Sequence, residues 1–496
     1  MAGTTSNAPR RPRTLGELRR SGWQPRTVKR EMRENLIAKL ESGEAVFPGI
    51  VGFDQTVIPD IQNAILSGHD FLLLGLRGQA KTRILRSLSA LLDASLPAVE
   101  GCEINDDPTQ PRCAACIRRA AEDGDALPVR WIPRAERYRE KLATPDVTIA
   151  DLIGDIDPIK AATRRLDLAD PEVIHYGIIP RTNRGIFAIN ELPDLQGRIQ
   201  VGLLNILEEG DIQIRGFPVR LPMDICMVFS ANPEDYTNRG NIITPLRDRI
   251  AAQIVTHYPR TIDEAKAITR QEAWVERDGR VDVTVPEYLA TVVEEVAFQA
   301  RKSDFVDQSS GVSARMTIAL METVVSSAER RAIRLGDGRA VARTSDLAAA
   351  TSAISGKLEL VYDGEREGAQ VVSRMLIGKA LKAVFDSHFP DAYAEPSGDE
   401  GESAYAGVLR WFQSGKTVDV SPELAPAELH ERLAAIPGLA DLARRHLEPE
   451  DEDSLAAAME FALEGLHQSS LVAKEELVGH RVYRDMMAEM AESLGE

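Results

Sequence analysis

Aromatic residues are scarce. They make up 5% of the 496 residues, too few platforms for a surface that stacks single-stranded bases. A positive balance of charge is missing as well. Lys and Arg total 59 against 77 Asp and Glu, a formal net charge of −18, and the pI is near 5.1. That balance argues against nucleic-acid binding across the surface. No apolar run approaches the length of a membrane span. Four cysteines in so long a chain do not make a secreted disulfide scaffold. Arg10-Arg11 is not followed by an apolar core, which argues against a twin-arginine export signal. The expected compartment is the cytoplasm.

Hydrophobic residues, at 43%, suffice for sizeable cores, and the length suggests about three domains. Residues 1–12 are polar and rich in Pro and Arg, and disorder is expected there. A basic, helix-prone segment follows, with Arg19, Arg20, Arg26, Lys29, Arg30 and Arg33; it is read as a solvated helix face, with contact to an acidic partner or to the acidic part of its own chain as the alternative. Together residues 1–45 form a basic N-terminal extension. Over 46–260, short apolar runs at 71–74, 186–189 and 225–229 alternate with helical patterns. This predicts a parallel sheet covered on both faces. A hairpin-bearing insertion is expected over 146–184, and a second hairpin over 211–221 about Gly216. Residues 261–390 carry helical spacing rich in Ala, Glu, Arg and Leu, the mark of a helical domain. The stretch 391–403 is an acidic linker. Beyond it, 404–496 reads as an acidic helical domain.

The chemistry begins at Leu72-Leu-Leu-Gly75, an apolar run that ends in the loop 75–82: Gly75, Gly78, Gln79, Ala80, Lys81 and Thr82. A glycine turn followed by Lys-Thr at a helix start presents backbone N–H groups and a helix N-terminus to a polyphosphate. Lys81 would reach the β- and γ-phosphates and the Thr82 hydroxyl would hold Mg²⁺. Ala80 stands where the pattern wants glycine. A second apolar strand ends in Asn190-Glu191. An ATPase needs one group there beside the magnesium shell and one that polarises water. Glu191 fits the second. Asn190 brings an oxygen to a magnesium-bound water without a negative charge, so weaker metal binding is expected. The next run ends at Asn232, placed to orient the lytic water. In Thr244-Pro-Leu-Arg-Asp-Arg249, Arg249 is the first candidate and Arg247 the second for an arginine supplied across a subunit boundary. Arg315, at the start of a helix in the helical domain, could sense the γ-phosphate.

In this order the segments resemble the AAA+ ATPases, and within them the magnesium-chelatase I-subunit and MoxR group. The resemblance covers about residues 46–360. Its carriers are Val51-Gly52, the 75–82 loop, Asn183-Arg184-Gly185 leading into Glu191, Ser230-Ala-Asn-Pro-Glu234, and Leu246-Arg-Asp-Arg249; Asp151-Leu-Ile-Gly-Asp155 looks like the start of the helix-2 insertion of this branch. The resemblance implies an α/β P-loop AAA+ core with hairpin insertions, followed by an α-helical lid, with the acidic α-helical C-terminal region as an addition. It implies ATP and Mg²⁺ held by Val51, Gly52, loop 75–82 and Asn190, with Glu191 as catalytic carboxylate and Asn232 as first sensor. Arg249 becomes the finger and Arg315 the second sensor. It implies a homo-oligomeric ring, usually a hexamer, that remodels a partner carrying a von Willebrand A domain. This chain lacks an Asp-x-Ser-x-Ser motif, so that partner would be a separate chain. Two further readings stay open: the motor subunit of a tetrapyrrole metal chelatase, and a nucleotide-gated scaffold that turns over little because of Ala80 and Asn190. A sigma-54-type activator is disfavoured, because there is no Gly-Ala-Phe-Thr-Gly-Ala loop.

A polar insertion near 100–125 holds Cys102, Cys113 and Cys116. Two thiolates three residues apart can grip one zinc ion, with Asp106, Asp107 or the distant Cys226 to complete it. A thiol switch, or thiols without a role, are the alternatives.

Overall fold

The computed structural model describes residues 11–167, 170–214, 220–233, 241–277, 279–393, 403–477 and 480–486. It divides into two compact units, Met1–His257 and Tyr258–Glu496. Among the described residues, no helix is long and apolar enough to cross a membrane.

The first unit is built on five parallel strands: β1 (Phe71–Leu74), β2 (Tyr138–Leu142), β3 (Gly185–Asn190), β4 (Ile225–Ala231) and β5 (Ala252–Val255). Their order is β5-β1-β4-β3-β2. The apolar runs are continuous because both faces are covered. Phe71, Leu73, Ile186, Ala188 and Val228 pack into one core, with Ile84 and Leu85. Leu72, Phe187, Ile189, Met227 and Phe229 pack into another. The register sets Leu73 opposite Ser230 and Phe229 opposite Ile189. The carboxyl ends of β1, β4 and β3 therefore open at one level. Chain direction around the sheet reverses beside β1, which leaves a crevice there.

The amino ends are tied to the basic segment, whose longer helix is α1 (Val28–Ser42). The expected solvated face carries exposed Arg19, Arg20, Arg30 and Arg33, while Val28, Met32 and Leu36 are buried in the sheet's core. Its charges meet carboxylates that lie far along the chain. Lys29 pairs with Asp70 at 2.8 Å and Arg26 with Asp93. The Val28 N–H donates to the Asp224 carboxylate at 3.0 Å. At the centre, Arg137 donates to both oxygens of Glu31, at 2.7 and 2.6 Å, and to the Arg184 carbonyl at 2.9 Å. Both side chains are almost wholly buried.

Two hairpins leave the sheet. Gly154–Ile156 pairs with Ile174–Tyr176, and Asp211–Gln213 with Arg220–Pro222. Gly216, the expected turn of the second, lies outside the described residues.

The first unit also holds α2 (Lys81–Ser87) and α3 (Thr244–Arg249), and the second unit is mainly helical, with α4 (Glu287–Ala300), α5 (Ala314–Leu335), α6 (Ala369–His388) and α7 (Glu452–Gln468). One apolar cluster runs from Leu289 through Leu320 and Phe385 to Phe461 and Tyr483, so residues on both sides of the acidic linker share a core. A three-stranded sheet (Val418–Asp419, His480–Asp485, Val472–Leu477) also stands in what the sequence suggests is purely helical. Helix α7 is buried all round from Leu455 to Leu466. It carries Glu464 inward, where Lys474 Nζ donates at 2.9 Å and the Tyr483 hydroxyl also donates. Burial alone would push this carboxyl up, but Lys474, His467, Tyr483 and Gln468 outweigh it and hold it down at about 2.

Two outcomes are expected. Glu31→Ala strands the buried Arg137 guanidinium and should cost about 3–5 kcal/mol, whereas replacing both partners with Glu31→Leu and Arg137→Met should cost much less; denaturant unfolding of the single and double variants checks this. Because the folded pKa of Glu464 is depressed, its contribution is present above the unfolded value of 4.5 and fades as pH falls toward about 2. Thermal melting of the second unit should therefore lose more stability between about pH 5 and about pH 3 in the wild type than in Glu464→Gln.

Candidate functional site

Gly75 follows β1 at the crevice. A Cβ there would lie 2.0 Å from Thr256 Oγ1 and 2.2 Å from Gln79 Oε1, so only glycine fits. Thr256, just past β5, donates to Gln79 Oε1 at 2.7 Å, which ties the loop to the neighbouring strand end. Gly78 is left-handed at φ 74°. Ala80 caps α2 and is also left-handed, at φ 55° and ψ 11°. The loop therefore keeps the glycine-like turn although a methyl opposes it, a strain of about 1–2 kcal/mol. Lys81 opens α2 and is buried. Its ammonium donates to the carbonyls of Gly75 and Leu76, the latter at 2.9 Å, and to Asn232 Oδ1 at 2.6 Å. Thr82 is half-buried on the same turn.

The ends of β3 and β4 complete the crevice. Asn232 Nδ2 donates to Glu191 Oε2 at 2.8 Å, so one amide joins the lysine and the carboxylate. Glu191 is left-handed as well, at φ 55° and ψ 50°. Its N–H donates to Ser230 Oγ at 3.3 Å, and that hydroxyl donates to Asn190 Oδ1 at 3.1 Å. Sequence reasoning quoted Ser230 and gave it no role. Its signal is parity: Ser230 and Asn232 are two apart on one strand end and so share a face.

The remaining candidates are placed as follows. Val51 and Gly52 are half-buried ahead of the helix Val57–Leu66, with Gly52 left-handed at φ 80°. Arg249 ends α3 and donates from Nε to Glu208 Oε2 at 2.7 Å and from Nη1 to the Pro245 carbonyl at 2.9 Å. Arg247 is exposed. Arg315 is exposed at the start of α5 in the second unit. Glu234, in one of the quoted motifs, lies outside the described residues. Cys102, Cys113 and Cys116 are brought together with Asp106. Cys226 belongs to the core on the other face of the sheet, and Asp107 faces Arg184 at 3.3 Å; neither joins the cluster.

Loop geometry generates a paired test. Gly75→Ala should destabilise the first unit by about 1–3 kcal/mol through overpacking. Ala80→Gly should stabilise it by up to about 1 kcal/mol, the relief of left-handed strain exceeding the added freedom of the unfolded chain. Chemical denaturation distinguishes the opposite signs.

No family model matches the chain. It is 29% identical over 232 residues to the magnesium-chelatase 38 kDa subunit of Cereibacter sphaeroides, covering 46% of this chain and 64% of that protein. It is 24% identical over 243 residues to the same subunit of Rhodobacter capsulatus, covering 47% and 62%. The chain thus spans less than two thirds of these relatives. Among solved structures, one chain of a complex between the BchI and BchD subunits of magnesium chelatase is 21% identical, with 64% of this chain and 98% of that one covered and a TM-score of 0.34. With a parallel sheet flanked by helices and the motifs in this order, the chain is similar to these magnesium-chelatase subunits over about half its length.

Proposed function

We propose that this chain is an ATP-hydrolysing motor of the chelatase-I type, working as a ring in which ATP sits between neighbouring subunits. The observation that carries the reading is the linked set Lys81, Asn232 and Glu191 at the carboxyl ends of three adjacent parallel strands. Such strand ends beside a reversal of chain order are where α/β sheets take ligands.

In this reading the N–H groups of loop 75–82 and the start of α2 cradle the phosphates, and Lys81 turns from the loop carbonyls to the terminal phosphates. Thr82, Asn190 and Glu191 offer hydroxyl, amide and carboxylate oxygens, a donor set that suits Mg²⁺. Held there, the ion would supply positive charge to offset that of the phosphates. Glu191 accepts a proton from the attacking water as it adds to the γ-phosphorus and the bond to the β-phosphate oxygen breaks. Asn232, once Lys81 leaves its Oδ1, is free to position that water or the γ-phosphate. Arg249 would have to release Glu208 to serve a neighbour's site, and Arg247, already exposed, is its competitor for that role. Arg315 is the proposed second sensor.

The motor would act on a separate protein. A von Willebrand A domain partner is one form of this proposal. A chelatase motor, with metal insertion carried out on another subunit, is supported to the same degree by the two relatives named as magnesium-chelatase subunits.

Steady-state phosphate release tests the hydrolytic claim. Glu191→Gln should bind a fluorescent ATP analogue as the wild type does and hydrolyse at least about 100-fold more slowly, while Lys81→Ala should lose binding. Wild-type release no faster than that of Glu191→Gln would leave a nucleotide-gated scaffold. Asn190→Asp should lower the magnesium concentration needed for half-maximal turnover.

A further inference from the structure

Outside the nucleotide crevice, the insertion after β1 gathers Cys102, Asp106, Cys113 and Cys116. Their ligand atoms all lie within 4.8 Å of one another, and all four residues are buried. We propose that these side chains form a closed structural site for a single zinc ion, with three thiolates and the Asp106 carboxylate as ligands.

One buried oxygen of the four-residue cluster lacks a partner. Asp106 is 0% exposed. Its Oδ2 accepts from the N–H groups of Arg112 and Cys113 at 2.9 and 2.8 Å. Its Oδ1 is buried with no hydrogen bond. An orphaned carboxylate oxygen in such a place is costly unless a cation completes it. Three sulfurs converge on the same spot, and none is in a disulfide. A disulfide between any two would leave the third thiol and this oxygen without a partner. One tetrahedral ion satisfies all four at once.

The Asp106 N–H donates to Cys102 Sγ and the Cys116 N–H to Cys113 Sγ, each at 3.4 Å. Such outer-shell donors favour thiolate over thiol. Cys113 is the N-cap and Cys116 lies in the first turn of the ten-residue helix Ala114–Asp123, whose N-terminus favours negative charge. Left-handed Gly101 and Asn105 flank the turn that joins Cys102 to Asp106. The spacing selects one ion. Sulfurs on a single tetrahedral zinc stand about 3.8 Å apart, given Zn–S near 2.3 Å. A multi-iron cluster would spread them further. Four protein ligands leave no open position, which makes the site structural rather than catalytic.

The site fastens the insertion to the approach of β3. Asn105 Nδ2 donates to the Arg181 carbonyl at 3.1 Å, and Asn183 Nδ2 to the Ile104 carbonyl at 3.0 Å. Residues 181–184 lead directly into the strand that ends in Asn190 and Glu191.

The test is elemental analysis of the full chain purified from zinc-supplemented culture, together with optical spectra after exchange into cobalt. One zinc per chain and the visible bands of tetrahedral cobalt–thiolate are expected. Ellman titration of the folded protein should find Cys102, Cys113 and Cys116 unreactive until a chelator strips the metal. Asp106→Asn should weaken zinc binding by at least about 100-fold, the upper end of what an outer-shell loss costs. Cys226→Ser should retain full zinc. Folded wild type with only trace zinc overturns the proposal, as does iron with acid-labile sulfide in its place. An Asp106→Asn protein with undiminished zinc affinity and an unchanged cobalt spectrum overturns the four-ligand assignment. These readouts stand on the wild type and the Asp106 variant, so a cysteine variant that fails to fold does not decide them.

Discussion

The buried pair between Arg137 and Glu31 fixes the amino edge of the sheet, and the geometry of the opposite edge follows from it. Arg137 immediately precedes β2, Arg184 precedes β3, and Glu31 projects from α1. One guanidinium therefore joins two strand starts and a helix. The Glu31 carboxylate also accepts the Asp93 N–H at 2.6 Å, so its oxygens are well used. Around this centre, α1 reaches Asp70 ahead of β1 and Asp224 ahead of β4. Gly185 permits the closest approach, since a Cβ there would lie 2.1 Å from the Arg137 carbonyl. Taking two ions out of water is expensive, and such a pair is favourable only when its remaining donors and acceptors are satisfied. Here the Arg184 carbonyl and the Asp93 N–H do so. Its effect is registry: strands held at their beginnings end at matched heights.

At those ends the backbone is under strain at two positions, Ala80 and Glu191, each left-handed without being glycine. Strain of this kind persists where the surroundings over-determine it. For Ala80 the surroundings are the Thr256–Gln79 hydrogen bond on one side and the buried Lys81 on the other. For Glu191 they are the Ser230 hydroxyl at its N–H and the Asn232 amide at its carboxylate. Asn232 has a chemical requirement that few residues meet. It must accept from an ammonium at one end and donate to a carboxylate at the other, which an amide does and a carboxylate cannot. Lysine, amide and glutamate thus form one relay across β1, β4 and β3.

Much of this was legible from residue order. Three strands buried on both faces appeared as apolar runs, and the loop and strand-end residues of the crevice appeared as short motifs. What was not legible depends on partners remote in sequence. The strand β2 reads Tyr-Arg-Glu-Lys-Leu and is half-exposed at the sheet's edge; β5, at the other edge, is mostly half-exposed or exposed. Edge strands lack the apolar signal because only part of each is covered. The pairings of the basic segment were not legible because Asp70 and Asp93, the partners of Lys29 and Arg26, lie 41 and 67 residues away. The pairing of Arg249 with Glu208 spans 41 residues and is equally invisible. For the cysteine cluster, spacing named the thiols but could not choose between Asp106 and Asp107; only the fold turns one inward and the other toward Arg184.

The same remoteness bears on Asn190, the residue that most weakens the case for hydrolysis when read alone. In the structure its amide oxygen accepts from Ser230, beside the carboxylate of Glu191. An aspartate at that position would set a second negative charge next to Glu191, and like charges raise carboxylate pKa values. With a neutral amide, Glu191 avoids that repulsion and is easier to keep ionised, as a base must be. The loss of charge in the magnesium shell and the easier ionisation of the neighbouring carboxylate are two effects of one substitution, opposite in their consequence for catalysis. On the proposed reading, Asn190 weakens metal capture while favouring the ionised state of the group that activates water, so it shifts where catalysis is limited rather than abolishing it.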